Sequence, residues 1–300
     1  MKVHSILEAI GNTDIVRINN AGVCEIWGKC EYLNPGGSIK DRVALCMIER
    51  AEERGRLTPG ATIVEPTSGN TGISISLVGV QKGYRVIIVM PEDMSEERKK
   101  IVTAFGGELE LTPASQSIDG AVRRAGEMLD EIEGAVMLQQ FENPDNPAVH
   151  CETTGPEIWA DLGGRVDAFV AGIGSGGTFQ GVGTFLRRMN PEAHLVAVEP
   201  ANVSALLGHE PGLHRIPGIG DGFIPAILDT SIISEVITVE DDDAIATTRL
   251  LARELGLLVG TSSGANVWAA RRLAASLPEG SVIATVLPDR AERYFSTALI

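Results

Sequence analysis

Short apolar segments alternate with helical patterns along most of the chain, and this alternation constrains the fold more than any other feature. Two strand patterns joined by a helical pattern form a unit in which the helix covers two parallel strands. The repeated unit predicts an α/β fold with open twisted sheets, mainly parallel and flanked by helices. Predicted strands cover residues 61–65, 85–90, 108–111, 136–140, 168–172, 194–199, 257–259 and 282–287, and predicted helices cover residues 72–82, 96–105, 119–132, 153–162, 178–189, 242–255 and 266–275.

The alternation is interrupted at residues 143–147, where the sequence reads Asn-Pro-Asp-Asn-Pro. Proline and asparagine at this density are typical of a loop, so this segment is the best candidate for a domain junction. A length of 300 residues allows one large domain or two domains of medium size.

Composition argues against several classes of function. The net charge of -15, from 25 basic and 40 acidic residues, disfavours a nucleic-acid-binding protein, which would carry a basic face. The four cysteines form no CxxC pair and no zinc-ligand spacing with histidine, so we expect reduced thiols, no metal site and a cytoplasmic protein. No apolar segment is long enough to span a membrane, and residues 1–7 lack the apolar core of a secretory signal.

A lysine follows a glycine-rich bend in residues 34–42, which read Asn-Pro-Gly-Gly-Ser-Ile-Lys-Asp-Arg and precede a helical pattern. Desolvation or nearby positive charge lowers the pKa of a lysine and makes it a nucleophile that forms Schiff bases with aldehydes. An isolated lysine at such a bend is more often a surface residue. The role of Lys40 therefore depends on what the rest of the chain supplies.

Two loops rich in hydroxyl and amide side chains precede helical patterns. Residues 66–72 read Pro-Thr-Ser-Gly-Asn-Thr-Gly, and the free N–H groups of a helix start favour a carboxylate or phosphate there. Residues 260–265 read Gly-Thr-Ser-Ser-Gly-Ala and could present a serine hydroxyl to a heterocycle nitrogen. For each loop taken alone, a plain helix cap formed by serine or threonine is about equally favoured.

A third loop, residues 172–178, reads Gly-Ile-Gly-Ser-Gly-Gly-Thr and also precedes a helical pattern. Its glycines let the backbone approach a phosphate closely, and Ser175 and Thr178 add hydroxyl donors, so the loop predicts a phosphate cradle. A dinucleotide site would place an acidic residue about twenty residues on, where Glu199 stands. A nicotinamide dehydrogenase is thus an alternative, although it leaves Lys40 without a role.

Taken in order, these segments resemble the cysteine synthase family, the O-acetylserine sulfhydrylases among the pyridoxal-phosphate enzymes of fold type II. Residues 34–42 are similar to the Schiff-base motif of the family, residues 67–72 to its substrate-carboxylate loop and residues 174–178 to its phosphate loop. Asp14 departs from the family, which usually has proline there. Further similar segments cover residues 11–17, 139–144, 154–157, 218–225, 262–264 and 292–297, so the resemblance extends over nearly the whole chain.

The resemblance implies a role for individual residues. Lys40 would hold pyridoxal 5'-phosphate as a Schiff base and would later remove the α-proton of the substrate. Asn70 would hydrogen-bond the ring hydroxyl of the cofactor, and Ser262 would meet its pyridine nitrogen. The phosphate would be held by Gly174, Ser175, Gly176, Gly177 and Thr178, and the substrate carboxylate by Thr67, Ser68, Asn70, Thr71 and Gln140.

The resemblance also implies the reaction and the domain organisation. The reaction would be a β-replacement that makes L-cysteine from O-acetyl-L-serine and sulfide through an α-aminoacrylate. As in the tryptophan synthase β-subunit, a smaller mobile domain over residues 36–145 would close on a larger cofactor-binding domain over residues 1–35 plus 146–300. A homodimer is expected, with serine acetyltransferase as a possible partner.

Several alternatives stay open at this point. O-Phosphoserine or serine could replace O-acetylserine; residues 218–220 carry no arginine for a phosphate, although Arg215 is close in sequence. Asp289 and Arg290 are similar to a branch that accepts thiosulfate. A cystathionine β-synthase-like reaction is also open, although Asp221 stands where that group usually has tyrosine. Outside the family, Lys40 speaks against a non-catalytic binding protein, and a serine hydrolase is disfavoured because no histidine follows Ser262.

Overall fold

The computed structural model describes residues 2–18, 24–67 and 69–296, and the strands within these ranges form two sheets. The strands are β1 (Ile15–Ile18), β2 (Glu25–Lys29), β3 (Thr62–Pro66), β4 (Arg85–Pro91), β5 (Glu108–Thr112), β6 (Ala168–Gly172), β7 (His194–Pro200), β8 (Glu235–Val239) and β9 (Val282–Val286). The helices are α1 (Lys40–Glu53), α2 (Asn70–Gln81), α3 (Glu96–Ala104), α4 (Ser117–Glu131), α5 (Asp145–Val149), α6 (Gly155–Asp161), α7 (Gly177–Met189), α8 (Asp241–Leu255) and α9 (Thr261–Ala274).

The larger sheet has the strand order β1-β2-β9-β6-β7-β8. Its pairs are parallel except β1 with β2. Alternate residues of the central strands face opposite sides of the sheet. Val170 and Val198 therefore pack on the side of α9, whereas Phe169 and Ala171 pack on the side of α7. Helices on both faces explain why these strands are continuous apolar runs.

The smaller sheet has the order β3-β4-β5 and is parallel throughout. One face packs against α1 and α2 through Ile63 and Ile88, and the other packs against α4 through Val64 and Val89. The predicted α/β class with two mainly parallel sheets is confirmed. The smaller sheet lies within residues 36–145; a domain boundary there, and its motion, remain predictions.

The predicted strand over residues 136–140 is wrong. Val136 alone forms a bridge, with Ile63 of β3. The reason is that the Glu65 side chain takes over beyond this point: its Oε2 accepts the N–H groups of Leu138 at 2.8 Å and Gln139 at 3.3 Å, so a carboxylate replaces a strand carbonyl.

The break in the pattern at residues 143–147 is not a loop throughout, because α5 begins at Asp145; the domain junction predicted there remains a prediction. Proline fits the first turn of a helix, where its missing N–H has no helical partner, and Pro147 lies in that turn. Residues 257–259 likewise form no strand but a single bridge between Val259 and Arg290. The strands β1, β2 and β8 were not predicted.

Helices of the described ranges include none that combines the length and the apolar composition needed to cross a bilayer. The same ranges contain no group of three or more histidine, cysteine or acidic side chains placed to bind a metal ion.

Candidate active site

Lys40 is the first residue of α1, and the glycine-rich bend before it is held from two sides. The N–H of Gly36 donates to Asp41 Oδ2 at 2.6 Å, and the N–H of Ile39 donates to the carbonyl of Pro288 at 2.9 Å. Gly37 has φ 82°, a conformation that glycine adopts without strain. The bend directs Lys40 Nζ to Ser175, whose Oγ accepts a hydrogen bond from it at 3.2 Å.

The environment of Lys40 favours the neutral amine. Desolvation lowers the pKa of Lys40, and the carboxylates of Asp221 and Asp289 oppose this effect without overcoming it. A lysine whose pKa is lowered has more of the unprotonated form that acts as nucleophile or base. The surface role that an isolated lysine would have does not fit this half-buried amine.

Three helix starts meet near this lysine, and each has glycine at its N-cap. Gly69 precedes α2, Gly176 precedes α7 and Gly260 precedes α9, and no side chain caps any of the three. The described serine and threonine residues of these loops are therefore not the N-caps of these helices. Since the first N–H groups of an α-helix lack helical partners, all three starts can bind an anion or a polar ligand group.

Close packing accounts for the glycines of the 174–178 loop. A Cβ on Gly174 would lie 2.2 Å from the carbonyl oxygen of Gly218, and a Cβ on Gly177 would lie 1.9 Å from Asn146 Oδ1. Gly176 has φ 83°, in the left-handed region. The loop thus keeps its backbone bare at the start of α7, as an N–H cradle for a phosphate requires.

A buried, neutral histidine forms a hydrogen bond with the last residue of this loop, Thr178. The ring nitrogens of the buried His150 form hydrogen bonds with Thr154 Oγ1 at 2.9 Å and Thr178 Oγ1 at 3.3 Å. Burial, together with the positive charges of Lys40 and Arg42, holds the pKa of His150 well below its usual value. The imidazole therefore fixes the Thr178 hydroxyl without adding a charge.

The loop before α2 lies beside the glutamine predicted to share its ligand. Thr67, Thr71 and Gln140 are buried, and Thr71 Oγ1 donates to Gln140 Oε1 at 2.7 Å. The N–H of Gly69 donates to Thr67 Oγ1 at 3.3 Å. Ser68, predicted to belong to the same set, lies outside the described residues.

Asp289 connects two of the helix starts with the lysine bend. Its Oδ2 accepts from Asn70 Nδ2 at 2.6 Å and from the Tyr294 hydroxyl, and its carbonyl accepts the N–H of Gly260 at 3.0 Å. Arg293 donates to Asn70 Oδ1. The Asn70 amide is thereby oriented from both ends, which leaves its second Nδ2 hydrogen for the cleft. Ser262 is buried in the first turn of α9, two residues after Gly260.

Asn146 joins the glutamine to the phosphate loop. Its Nδ2 donates to the carbonyl of Gln140 at 2.8 Å and to Ser175 Oγ at 3.1 Å, next to the bond from Lys40. Sequence reasoning missed Asn146 and His150. It noted Asp289 only for the sulfur donor and Arg293 only as part of a similar segment, and predicted no contact of either with Asn70. No signal in the sequence could have singled out Asn146, because the helix that positions it was not predicted.

Two residues that supported alternative functions are occupied elsewhere. Glu199 is buried, and its Oε2 accepts from Ser204 Oγ at 2.6 Å and from the N–H of Leu206 at 3.1 Å. This carboxylate is therefore not available to bind the ribose of a dinucleotide. Arg215 pairs with Asp241 at 3.4 Å and Asp242 at 2.5 Å at the start of α8. Neither a dinucleotide site nor a phosphate-binding arginine is supported.

Comparison with known proteins decides the family. Residues 6–289 match the family described as pyridoxal-phosphate dependent enzyme. The chain belongs to this family. As a pyridoxal-phosphate-dependent enzyme it has a resident cofactor, and the dehydrogenase alternative falls away.

Proteins similar to this pyridoxal-phosphate-dependent enzyme include several that are named as synthases. A cysteine synthase of Staphylococcus aureus is 48% identical over 301 residues, covering 99% of this chain and 97% of the relative. The crystal structure of an O-ureido-L-serine synthase is 43% identical with a TM-score of 0.96, covering 100% of this chain and 95% of that one. An O-acetylserine dependent cystathionine beta-synthase from Helicobacter pylori is 42% identical with a TM-score of 0.94, covering 100% of this chain and 99% of that one.

Proposed function

We propose that this enzyme makes L-cysteine from O-acetyl-L-serine and sulfide by replacing the substituent on Cβ. The observation that carries the proposal is the 3.2 Å hydrogen bond that brings the Lys40 amine to Ser175 in the bare glycine loop. Pyridoxal phosphate carries its aldehyde and its phosphate arm on neighbouring ring carbons, so it needs a carbonyl-reactive amine close to a phosphate cradle. The 48% identity to a cysteine synthase supports the choice of reaction.

The residues around the cleft fit this cofactor. Lys40 would bond its aldehyde carbon, Asn70 would donate to its ring hydroxyl, and Ser262 would meet its ring nitrogen. Gly174, Ser175, Gly176, Gly177 and Thr178 would hold its phosphate through the bare start of α7. Bound there, pyridoxal phosphate would supply an electron sink for the electrons of the substrate Cα–H bond.

The start of α2 would bind the substrate carboxylate. The uncapped N–H groups after Gly69 and the partial positive charge of the helix end attract an anion. Thr67, Ser68, Asn70, Thr71 and Gln140 would supply the side-chain contacts.

Lys40 would act a second time as the proton-transfer group. Its lowered pKa increases the fraction of neutral amine that can remove the α-proton. Acetate then leaves Cβ, sulfide forms the new C–S bond there, and Lys40 returns a proton to Cα. The hydrogen bond to Ser175 would keep the released amine beside the reacting carbon.

The charges of the described residues favour acetate over phosphate as the leaving group. A phosphoserine user would need a cation facing Cβ, and Arg215, the residue near the cleft in sequence, is held by two aspartates at α8. Acetate needs no such cation. The name of the Helicobacter pylori relative includes the same acceptor with a different product, so a thiol in place of sulfide is the second candidate.

A comparison of acceptors tests the proposal. The purified enzyme with bound cofactor is mixed separately with O-acetyl-L-serine, O-phospho-L-serine and L-serine, and the visible absorbance of the cofactor is followed. Sulfide, homocysteine or thiosulfate is then added and the amino-acid product identified by mass. We expect O-acetyl-L-serine to react fastest and sulfide to give L-cysteine; faster reaction of O-phospho-L-serine would contradict the proposal.

The same proposal extends to the organisation of the protein. Residues 36–145 would form the smaller domain that closes on residues 1–35 plus 146–300; Phe141 and Phe223, 5.1 Å apart edge to face, would meet across it. A homodimer in the cytoplasm, with serine acetyltransferase as a possible partner, is part of the proposal, and four free thiols are consistent with that compartment. Light scattering at several concentrations tests the dimer.

A further inference from the structure

Glu65 is a buried carboxyl group that the reaction above does not use. It lies near the end of β3, is 1% exposed, and faces the segment of residues 138–140, which was expected to be a strand. Its Oε2 accepts the N–H groups of Leu138 at 2.8 Å and Gln139 at 3.3 Å. One side chain thus holds the donors of two successive peptide groups.

The carbonyl groups of residues 138–140 accept hydrogen bonds from two asparagines that follow them in the chain. The carbonyl of Leu138 accepts from Asn143 Nδ2 at 2.8 Å, and that of Gln139 accepts the N–H of Asn143 at 2.9 Å. The carbonyl of Gln140 accepts from Asn146 Nδ2 at 2.8 Å. Gln139 has φ 59°, a conformation that costs energy for a residue other than glycine and persists only where neighbours enforce it.

This turn of the backbone aims Gln140 at the cleft. The Gln140 side chain accepts from Thr71 at 2.7 Å, and Asn146, bonded to the Gln140 carbonyl, also donates to Ser175. A displacement of residues 138–140 would therefore move both the predicted carboxylate-binding glutamine and a partner of the phosphate loop.

We propose that Glu65 is a positioning residue whose ionised carboxyl group fixes residues 138–140 and thereby sets the affinity for the amino-acid substrate. The inference rests on the proposed function, because it assigns Gln140 to the substrate carboxylate. A charged acceptor holds N–H groups more tightly than a neutral one, so protonation of Glu65 loosens the segment.

The carboxyl group of Glu65 titrates near neutral pH, where its ionisation can be followed by enzyme kinetics. Burial raises the pKa of Glu65 to about 7, opposed by the N–H groups of Leu138, Gln139 and Gln140. Glu65 pairs with the uncharged Ile88 on the neighbouring strand β4. The exposed Arg56 donates to the carbonyl of Met137 at 3.4 Å, just before residues 138–140. The pKa of Glu65 is therefore set by burial, which raises it, and by the backbone N–H groups, which lower it.

Steady-state kinetics of Glu65→Gln against the unchanged enzyme test the inference. The KM of Glu65→Gln for O-acetyl-L-serine is divided by the KM of the unchanged enzyme at each pH from about 6 to about 8.5. Ionisations that occur in both proteins cancel in this ratio. We expect a ratio near one at the acid end that rises to about tenfold above pH 7, from loss of a charge-assisted bond. The KM for sulfide should stay unchanged. A ratio that is flat with pH overturns the inference.

Amide hydrogen exchange supplies a readout that does not depend on turnover. At pH 8, the N–H groups of Leu138 and Gln139 should exchange faster in Glu65→Gln than in the unchanged enzyme, and equal rates overturn the inference. Glu108→Gln is the matched control, since Glu108 is an exposed residue of β5 paired only with Arg85 in the described structure. If the unchanged enzyme makes no cysteine from O-acetyl-L-serine and sulfide, the proposed function fails, and the exchange rates still decide the role of Glu65.

Discussion

Replacement of Glu65 by glutamine should change how the stability of the protein depends on pH. Burial raises the pKa of this carboxyl group from 4.5 to about 7. A carboxyl group with a raised pKa binds its proton more tightly in the folded state, so its stabilising effect is complete below pH 4.5 and is lost as the pH rises through 7. Glutamine does not titrate and removes this dependence.

The magnitude follows from the two pKa values. A rise from 4.5 to about 7 corresponds to about 3 kcal/mol over the whole titration, at about 1.4 kcal/mol per pH unit. Between about pH 5 and about pH 8.5, roughly 2.5 kcal/mol of this is lost from the free energy of unfolding. The difference in stability between Glu65→Gln and the unchanged protein should shift by that amount in favour of the variant.

Urea unfolding followed by circular dichroism at the two pH values measures this shift. Burying the glutamine amide changes the free energy of unfolding by the same amount at both pH values. This contribution cancels, because only the change of the stability difference with pH is compared. Glu108→Gln, on the surface of β5, should show no such shift. A stability difference that is the same at both pH values, or that moves against the variant as the pH rises, would mean that Glu65 does not have a raised pKa in the folded protein. The expected result means that the ionised carboxyl group lowers stability while it orders the substrate segment, a known kind of trade-off.

Three further substitutions test separate parts of the site. Gly177→Ala places a Cβ 1.9 Å from Asn146 Oδ1 and should lower the visible cofactor absorbance per protein at least about tenfold; full absorbance would contradict the packing argument. Asp289→Asn removes the charged acceptor of Asn70 and should weaken cofactor affinity about tenfold in a titration with pyridoxal phosphate, whereas unchanged affinity would show that Asn70 needs no such support. Arg215→Ala should leave the KM for O-acetyl-L-serine within about twofold, because the ion pairs of Arg215 within the described residues are with Asp241 and Asp242 at the start of α8; a large increase would place it in the site.

Sequence patterns predicted well whatever depends on neighbours along the chain. The strand at residues 168–172 was predicted with its observed bounds, since a buried parallel strand is a continuous apolar run. Glycine-rich loops before helices were likewise visible, because glycine marks backbone positions that side chains would block. These local signals located Lys40, the 174–178 loop and the start of α2.

Contacts between distant segments were beyond prediction from one sequence. Asp289 meets Asn70 across more than two hundred residues, and Asn146 of α5 meets Ser175 in the loop before α7. The error at residues 136–140 has the same origin: the apolar pattern was that of a strand, but a glutamate side chain replaced the strand carbonyls. Periodicity reports burial and cannot show which group accepts a hydrogen bond.

Formation of L-cysteine by the purified protein shows whether Lys40 makes this cleft a cysteine synthase. The unchanged enzyme and Lys40→Ala, both supplied with pyridoxal phosphate, are incubated with O-acetyl-L-serine and sulfide, and L-cysteine is quantified by mass spectrometry. We expect sustained formation by the unchanged enzyme and at least a thousandfold loss, about 4 kcal/mol, in the variant. Equal formation of L-cysteine by the two proteins would contradict the account.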